Sequence, residues 1–532
     1  MPRTPMADLP PADGDRIVIY DHVVIGAGAA GCVLAHRLSQ DPGVQVLLVE
    51  EGGAGRHPLL SVPRAFYFTL RSDRYTRHYP TRPSAGGVPA EAWVRGRGLG
   101  GSTLVNGMMY VRGAAADFDA LEAAGNPGWG GAEVMRAGRE VESRLHVSVP
   151  EEGDEVTDAL LAAAASRGLR RTADFNDSDD ERIGFTPATI RAGRRVSAAS
   201  AFLAPVRRRS NLTVMTHACA QRILLDGTRA VGVVVRRGAR LHEVRVRREV
   251  VVAAGTVESP LLLERSGIGR PDVLRAAGIT PVVESPHVGE RVVEQRAVSM
   301  QVRFTGRHGP TERLNTVPKQ ALEGARYLAT RRGPIATSGY DVVSAFRSSP
   351  TVDRPDVQGV WVPMALDETS EQVRLAPYSG LLFTGYGLRP TSAGTVHTGA
   401  DGETVVSPRF LQDDAERAAT GAILDHAREI VATSPLADLV EREVFPGPSV
   451  ATHDEVVAYS LAHGGGIYHA VGSCGMGPKD DDVVDARLRV RGVDGLRVAD
   501  ASVLPHQVSG NSAAPVMALA WLAAERIAAD HA

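Results

Sequence analysis

The strongest pattern of apolar and polar positions lies near the start of the chain. Ile17 to Ile25 is rich in β-branched apolar residues and of strand length, and it runs straight into Gly26-Ala27-Gly28-Ala29-Ala30-Gly31 and then the helix-favouring stretch Cys32 to Leu38. This order predicts strand, glycine turn and helix. A second strand is predicted over Gln45 to Val49, ending at Glu50, nineteen residues beyond Gly31. Much later the apolar run Val250 to Ala254 predicts another strand, leading into a helix that begins near Gly255. The longest apolar stretch, around Ala513 to Ala524, contains Pro515 and is shorter than the roughly 20 residues a membrane-spanning helix needs. No transmembrane segment is expected, and the first sixteen residues, which lack an apolar core, read as a loose tail rather than a secretory signal.

Composition narrows the class. At roughly 150 residues per domain, 532 residues allow three or four folding units or two large interleaved ones. Lys plus Arg is 59 against 62 for Asp plus Glu, a net charge of −3, without the basic footprint of a nucleic-acid binder. The 43% hydrophobic and 23% charged content is that of an ordinary globular protein. Cys32, Cys219 and Cys474 are too scattered for a disulfide framework or a metal cluster, so no metal is expected. A cytoplasmic location is expected, and the sequon at Asn211 to Thr213 is set aside for want of a leader.

The chemistry of the first pattern is specific. Glycine at 26 permits a tight turn, Gly28 lets a pyrophosphate approach the backbone, and Gly31 lets helix and strand pack closely, while the helix N-terminus offers N–H donors. Glu50 stands where a dinucleotide fold needs a carboxylate for the adenosine ribose, with Glu51 a possible substitute. Such a fingerprint does not separate NAD from FAD. Arg95 to Gly107, containing Gly96, Gly98, Gly100, Gly101, Ser102 and Asn106, reads as a backbone-contact loop for a second part of a cofactor.

Three segments carry a family resemblance: that loop, the stretch Gly255 to Gly269, and the C-terminal blocks Tyr468 to Gly477, Gly495 to Ser502 and Ser509 to Pro515. Together they resemble the glucose-methanol-choline oxidoreductases, FAD-dependent enzymes, from about Tyr20 to about Ala528. The resemblance implies an α/β chain, α+β overall. A Rossmann-like FAD-binding part (17–125, 190–300 and 460–532) is interleaved with a substrate part (126–189 and 301–459) built on an antiparallel sheet with helices, behind a tail over 1–16. It implies that Gly26, Gly28 and Gly31 hold the pyrophosphate, Glu50 the ribose and the Ala220 backbone the adenine. Gly101, Ser102, Asn106 and Gly107 would lie along the middle of the cofactor or its isoalloxazine. Asp500 and Ala501, with the backbone beyond Asn511, would meet the ribityl chain and pyrimidine edge.

Two departures from the family pattern stand out. Val105 occupies the position at which some members tether FAD through a histidine, so the cofactor is expected to be non-covalent. Glu294-Gln295 stands where members commonly show Asp-His, which puts local capping or domain contacts in question.

Oxidising an alcohol with flavin sends the hydroxyl proton to a base and the carbon-bound hydride to N5. His469 suits the base because imidazole titrates near working pH, and the resemblance places it at the family's base position. Asn511, at a predicted helix start, can hold the hydroxyl oxygen or cap the helix. His463 and His506 match no family position. The expected enzyme is an FAD-dependent alcohol oxidase or dehydrogenase that passes electrons to oxygen or another acceptor. A tailoring oxidase of bacterial specialised metabolism, a non-redox lyase of the same fold and a non-catalytic flavin binder are the alternatives. The stretch from about Val302 to Ala451 is expected to form much of the pocket wall, with Tyr340, Phe346, Trp361, Phe383 and Tyr386 placed in the core or at the pocket.

Overall fold

A computed structural model describes residues 18–150, 153–370 and 374–531. The tail expected over 1–16 lies outside the described residues. Strand β1 (Val18–Ile25), helix α1 (Ala29–Leu38) and strand β2 (Val46–Val49) follow the predicted order. The helix starts inside the glycine stretch, because Gly26 alone takes the left-handed turn (φ +98°) and Gly28 already serves as N-cap.

β1 and β2 are parallel, with Val23 opposite Leu47 and Ile25 opposite Val49. On its other side β1 pairs in parallel with the long strand β3 (Arg240–Val252), Ile25 lying opposite Val252. Leu212–Met215 extends the sheet beyond β2, and Leu496–Val498 joins the C-terminal end of β3. The N-terminal end of β3 instead continues an antiparallel ribbon through Arg229–Arg237 to Ala218–Asp226. The central strands are apolar at nearly every position because both faces are covered, and Val23, Val24, Leu47, Leu48, Val250 and Val251 are fully buried.

Helix α2 (Gly255–Arg265) follows β3, and helix α3 (Ala513–Asp530) packs on α1 and on the helix Gly131–Leu145. Val134, Ala137 and Val141 of that last helix belong to the core around the parallel sheet, although they fall in the segment expected for the substrate part.

The second sheet is ordered Val440–Phe445, Ala297–Phe304, Gly380–Gly387, Val357–Val362, Val342–Phe346, Arg182–Phe185, Arg170–Thr172. All of its pairings are antiparallel except the last. Ala297–Phe304, which straddles the expected boundary at 300/301, lies wholly in this sheet.

The period-two alternation of side chains divides the sheet's two faces. Val342, Phe346, Val357, Trp361 and Phe383 point into a core closed by the helices Glu155–Ser166 and Ile423–Val431. Val343, Ala345, Val360 and Tyr386 point the other way, with Tyr340 packed against them. Phe346, Trp361 and Phe383 are therefore core, while Tyr340 and Tyr386 lie on the face turned toward the parallel-sheet unit.

The α1–β1 contact leaves no room for a side chain. A Cβ on Gly31 would sit 1.8 Å from the carbonyl oxygen of Gly26. Overpacking of this kind costs about 1–3 kcal/mol, so Gly31→Ala is expected to lower the thermal unfolding midpoint by several degrees; an unchanged midpoint in differential scanning calorimetry would contradict the packing described.

Candidate active site

The glycine turn opens onto the N-terminus of α1, which has no side-chain cap and no acidic residue in its first turn. A Cβ built on Gly28 meets nothing within 4 Å, whereas Cβ atoms on Gly26 and Gly31 would strike backbone at 2.4 and 1.8 Å. The first and third glycines thus serve the chain's own packing, and the second keeps a space beside the helix N-terminus open.

Glu50 organises this region. Its Oε2 accepts the N–H of Ala27 at 2.9 Å, and its Oε1 accepts those of Gly52 at 2.8 Å and Gly98 at 2.9 Å. Burial pushes the carboxyl's pKa up, and these three N–H donors oppose it. The first glycine turn, the end of β2 and the second glycine loop are thereby tied to one side chain. Ala220 lies close by, on the strand entered through His217 and Ala218, whose N–H groups bond to the carbonyls of Gly52 and Glu50 at 2.9 Å.

The second glycine loop lies directly over the first turn. Gly100 N–H donates to Ala27 O at 2.7 Å, and a Cβ on Gly101 (φ +52°) would come within 2.6 Å of the Gly28 Cα. Ser102 Oγ accepts the N–H of Gly96 at 3.1 Å. Arg195 clamps the end of the loop, donating from Nη1 to Asn106 Oδ1 at 2.7 Å and from Nη2 to Asn106 O at 2.7 Å. This guanidinium is buried with no carboxylate partner among the described residues, and burial pushes its pKa down to about 9. Gly107 lies under Tyr340, since a Cβ there would reach that ring at 2.3 Å. Val105, where a tether would need a histidine, is buried against Leu60 and Leu104.

Asp500 is buried, and its carboxylate accepts from Gly255 N–H at 2.8 Å, Ser259 O–H at 2.6 Å and Ser502 N–H at 2.8 Å. Its side chain joins the start of α2 to the turn at Ala501; what remains for a ligand there is backbone. In the same first turn of α2, Thr256 O–H donates to Ala470 O at 2.6 Å, one residue past His469.

His469 and Asn511 meet. Asn511 Nδ2 lies 3.0 Å from His469 Nε2, across 42 residues of chain. The far side of the imidazole determines the tautomer. Gln295 Nε2 donates to the carbonyls of Gly387 at 3.0 Å and Leu388 at 3.1 Å, so its Oε1 faces His469 Nδ1 at 2.9 Å. Carbonyls only accept, and the amide orientation follows from them. Nδ1 therefore carries the hydrogen, and Nε2 presents its lone pair to Asn511. Gln507 Nε2 adds a second donor to Gln295 Oε1 at 3.2 Å. On the opposite side Gln358 Nε2 reaches Asn511 Oδ1 at 3.2 Å and the Tyr386 hydroxyl at 2.6 Å.

Glu294 holds the backbone of the same residue. Its Oε1 accepts from His469 N–H at 2.9 Å and Gln295 N–H at 3.0 Å, its Oε2 accepts from Ala470 N–H at 3.0 Å, and Arg95 stands 3.8 Å away. Burial raises the Glu294 carboxyl to about 7 despite Arg95 and these donors. Dense packing, with Arg95 second, pushes His469 down to about 3, well below the near-neutral value expected from imidazole alone. The departure Glu294-Gln295 accordingly acts at the histidine itself and at a contact with the second sheet, through Gly387 and Leu388, rather than at a helix cap. Composition and spacing carried no sign of this, because the two stretches are far apart in sequence and meet only in the fold, where bridges join Val293 to Val471 and Arg296 to Gly466. His463 and His506 are exposed and take no part in the network.

An open dinucleotide cradle at a helix N-terminus, a buried cation without a carboxylate partner behind the adjoining loop and an imidazole whose Nε2 lone pair faces Asn511 fit an FAD-dependent oxidoreductase acting on CH–OH donors. Family comparison agrees: the GMC oxidoreductase models match residues 20–297 and 390–520. The chain belongs to the GMC oxidoreductase family. It is similar to the oxygen-dependent choline dehydrogenase of Rhizobium johnstonii, 32% identical with 95% of each chain covered. It is also similar to the alcohol dehydrogenase [acceptor] of Pseudomonas putida, 30% identical with 96% of each covered. Among solved structures it resembles pyridoxine 4-oxidase from "Mesorbium loti", with a TM-score of 0.84, 29% identity and coverage of 95% of this chain and 98% of that one. No helix among the described residues is long and apolar enough to cross a membrane.

Because Val105 offers no nucleophile, acid precipitation of the yellow protein is expected to release all of its FAD; flavin retained on the washed pellet would show a tether. Gly28→Val should fold normally yet be colourless, since the side chain enters the space that the turn leaves open, and the absorbance ratio of flavin to protein reads the outcome.

Proposed function

We propose that the protein oxidises the CH–OH group of a small-molecule alcohol to a carbonyl, with His469 Nε2 accepting the hydroxyl proton and Asn511 holding the oxygen. The tautomer fixed by Gln295 is the observation that carries this reading. FAD supplies the hydride acceptor when bound; Gly28 would leave room for it, Gly26 and Gly31 would shape the turn around it, and Glu50, Gly101, Ser102, Asn106, Gly107, the Ala220 backbone and the Asp500–Ala501 turn would line its path. Segments 17–125, 190–300 and 460–532 form the flavin unit in this reading. The helix Gly131–Leu145 joins that unit and the strand Ala297–Phe304 joins the substrate unit, on the packing above.

The low pKa of His469, about 3, keeps its ring in the acceptor form throughout the working pH range. Asn511 Nδ2 donates toward Nε2, and a hydroxyl that displaces this bond gives its proton to the imidazole and receives the amide hydrogen on its oxygen. Gln358 and Tyr386 keep the Asn511 carbonyl turned away from that point. Gln295 Oε1 continues to accept from Nδ1–H once the ring is cationic. The named activities of the choline and alcohol dehydrogenases and the pyridoxine oxidase support an alcohol as substrate. The choice among alcohols falls to the wall that includes Tyr340 and Tyr386.

Anaerobic mixing with a panel of alcohols tests the proposal: the true substrate bleaches the flavin, and His469→Ala is expected to slow bleaching by about 10²- to 10⁴-fold with FAD content unchanged. Bleaching at the wild-type rate would return His469 to a packing role. Asn511→Asp should bind FAD but reduce it slowly, because a carboxylate there opposes the arrival of negative charge.

The pH dependence has a different origin from the base. As pH falls through about 7, Glu294 takes up a proton, loses acceptor capacity toward the backbone of His469, and the reduction rate is expected to drop. Glu294→Gln should remove that limb of the stopped-flow pH profile, whereas a limb that persists in this variant would place the titrating group elsewhere.

A further inference from the structure

The helix Val317–Thr330 is amphipathic in the inverted sense. At 3.6 residues per turn, Val317, Ala321, Leu322, Ala325, Leu328 and Ala329 share one face, and every one of them is exposed, Val317 to 77%, Leu322 to 69% and Leu328 to 68%. The opposite face, which packs on the protein, is polar. Glu323 is buried there and accepts two bonds from Arg313 at 2.9 and 2.7 Å, and the buried Tyr327 hydroxyl donates to Gly193 O at 2.9 Å. These bonds hold the helix in its orientation; it cannot roll its apolar face inward without leaving a carboxylate and a phenol unpaired.

Charge around the face is one-sided. Residues 311–332 hold five basic and two acidic residues in a chain whose net charge is −3. Both acids are committed, Glu323 to Arg313 and Glu312 to Lys319, while Arg326, Arg331 and Arg332 have no carboxylate partner among the described residues.

The chain leads from this helix to the site. Past the helix, the turn Pro334–Ala336 packs on Pro63–Ala65, and the chain continues to Tyr340, which lies over Gly107 with its ring 5.7 Å from that of Phe66. The neighbouring Pro58–Thr69 segment exposes Leu59 to 45% and Phe68 to 69%.

We propose that the outer face of Val317–Thr330 docks on an anionic lipid surface, its leucines entering the interface and its arginines meeting the headgroups, so that the rim of the alcohol site rests against the bilayer. An apolar face ringed by cations is the composition that binds such a surface. A second copy of the chain suits it less well, because a twofold contact would bring the two basic rims together.

Flotation of the full-length FAD-loaded protein with vesicles tests this, using phosphatidylcholine alone and phosphatidylcholine with about one-third phosphatidylglycerol. The protein is expected to float with the anionic vesicles. The double variant Leu322→Glu, Leu328→Glu should lose at least about tenfold of the bound fraction, and Arg326→Glu with Arg332→Glu should abolish the preference for anionic lipid. Flavin content and thermal midpoint should be unchanged in both. Wild-type protein that stays down with both vesicles overturns the proposal, as does a leucine variant that floats like wild type. A solution dimer split by the leucine substitutions, with no vesicle binding, would assign the face to a second copy and overturn it equally.

Discussion

A single buried carboxylate holds the cofactor cradle together. Glu50 accepts backbone N–H bonds from Ala27, Gly52 and Gly98, which belong to three separate glycine-containing loops. Glycine loops gain close approach by giving up packing area, and without a common acceptor they would be free to drift apart. Burying a carboxylate is costly unless its lone pairs are filled; here the filling is done by the loops that must be aligned. Gly100 bonded to Ala27 O and Gly101 resting on Gly28 then complete one rigid surface.

The same economy of means recurs at the histidine. Its backbone N–H is held by Glu294, its Nδ1 by Gln295, and the carbonyl of the next residue by Thr256 of α2. Gln295 is itself oriented by two backbone carbonyls of the second sheet, Gly387 and Leu388. The imidazole is thus positioned by both units at once, and a shift of one against the other would change which nitrogen faces the substrate side. Gln358, itself bonded to the Tyr386 hydroxyl, reaches Asn511 from the second sheet, so the His469–Asn511 pair is built where the two units meet.

Local chemistry made much of this legible. The strand, turn and helix at 18–38 are written in apolar pattern and glycine spacing, and Glu50 is identified by its distance from Gly31. His469 and Asn511 stand out in the sequence through the family motifs that contain them. Gln295, Glu294, Arg195 and Gln358 do not. Each is an ordinary polar residue in sequence, and each acquires its task from a neighbour 89 to 212 positions away.

Apolar pattern and glycine spacing carried the α/β core, and the family motifs carried FAD and the proposal of His469 with Asn511. Assembly of the fold set the tautomer of His469, the upward shift of the Glu294 carboxyl and the downward shift of His469. It also decided which aromatics face the site and which way the helix Val317–Thr330 turns its apolar side. The physical reason is common to all of them. Hydrogen-bond direction, desolvation and exposure are set by what a group is placed against, and in this chain those surroundings come from segments far apart in sequence that meet only when two interleaved sheets are assembled.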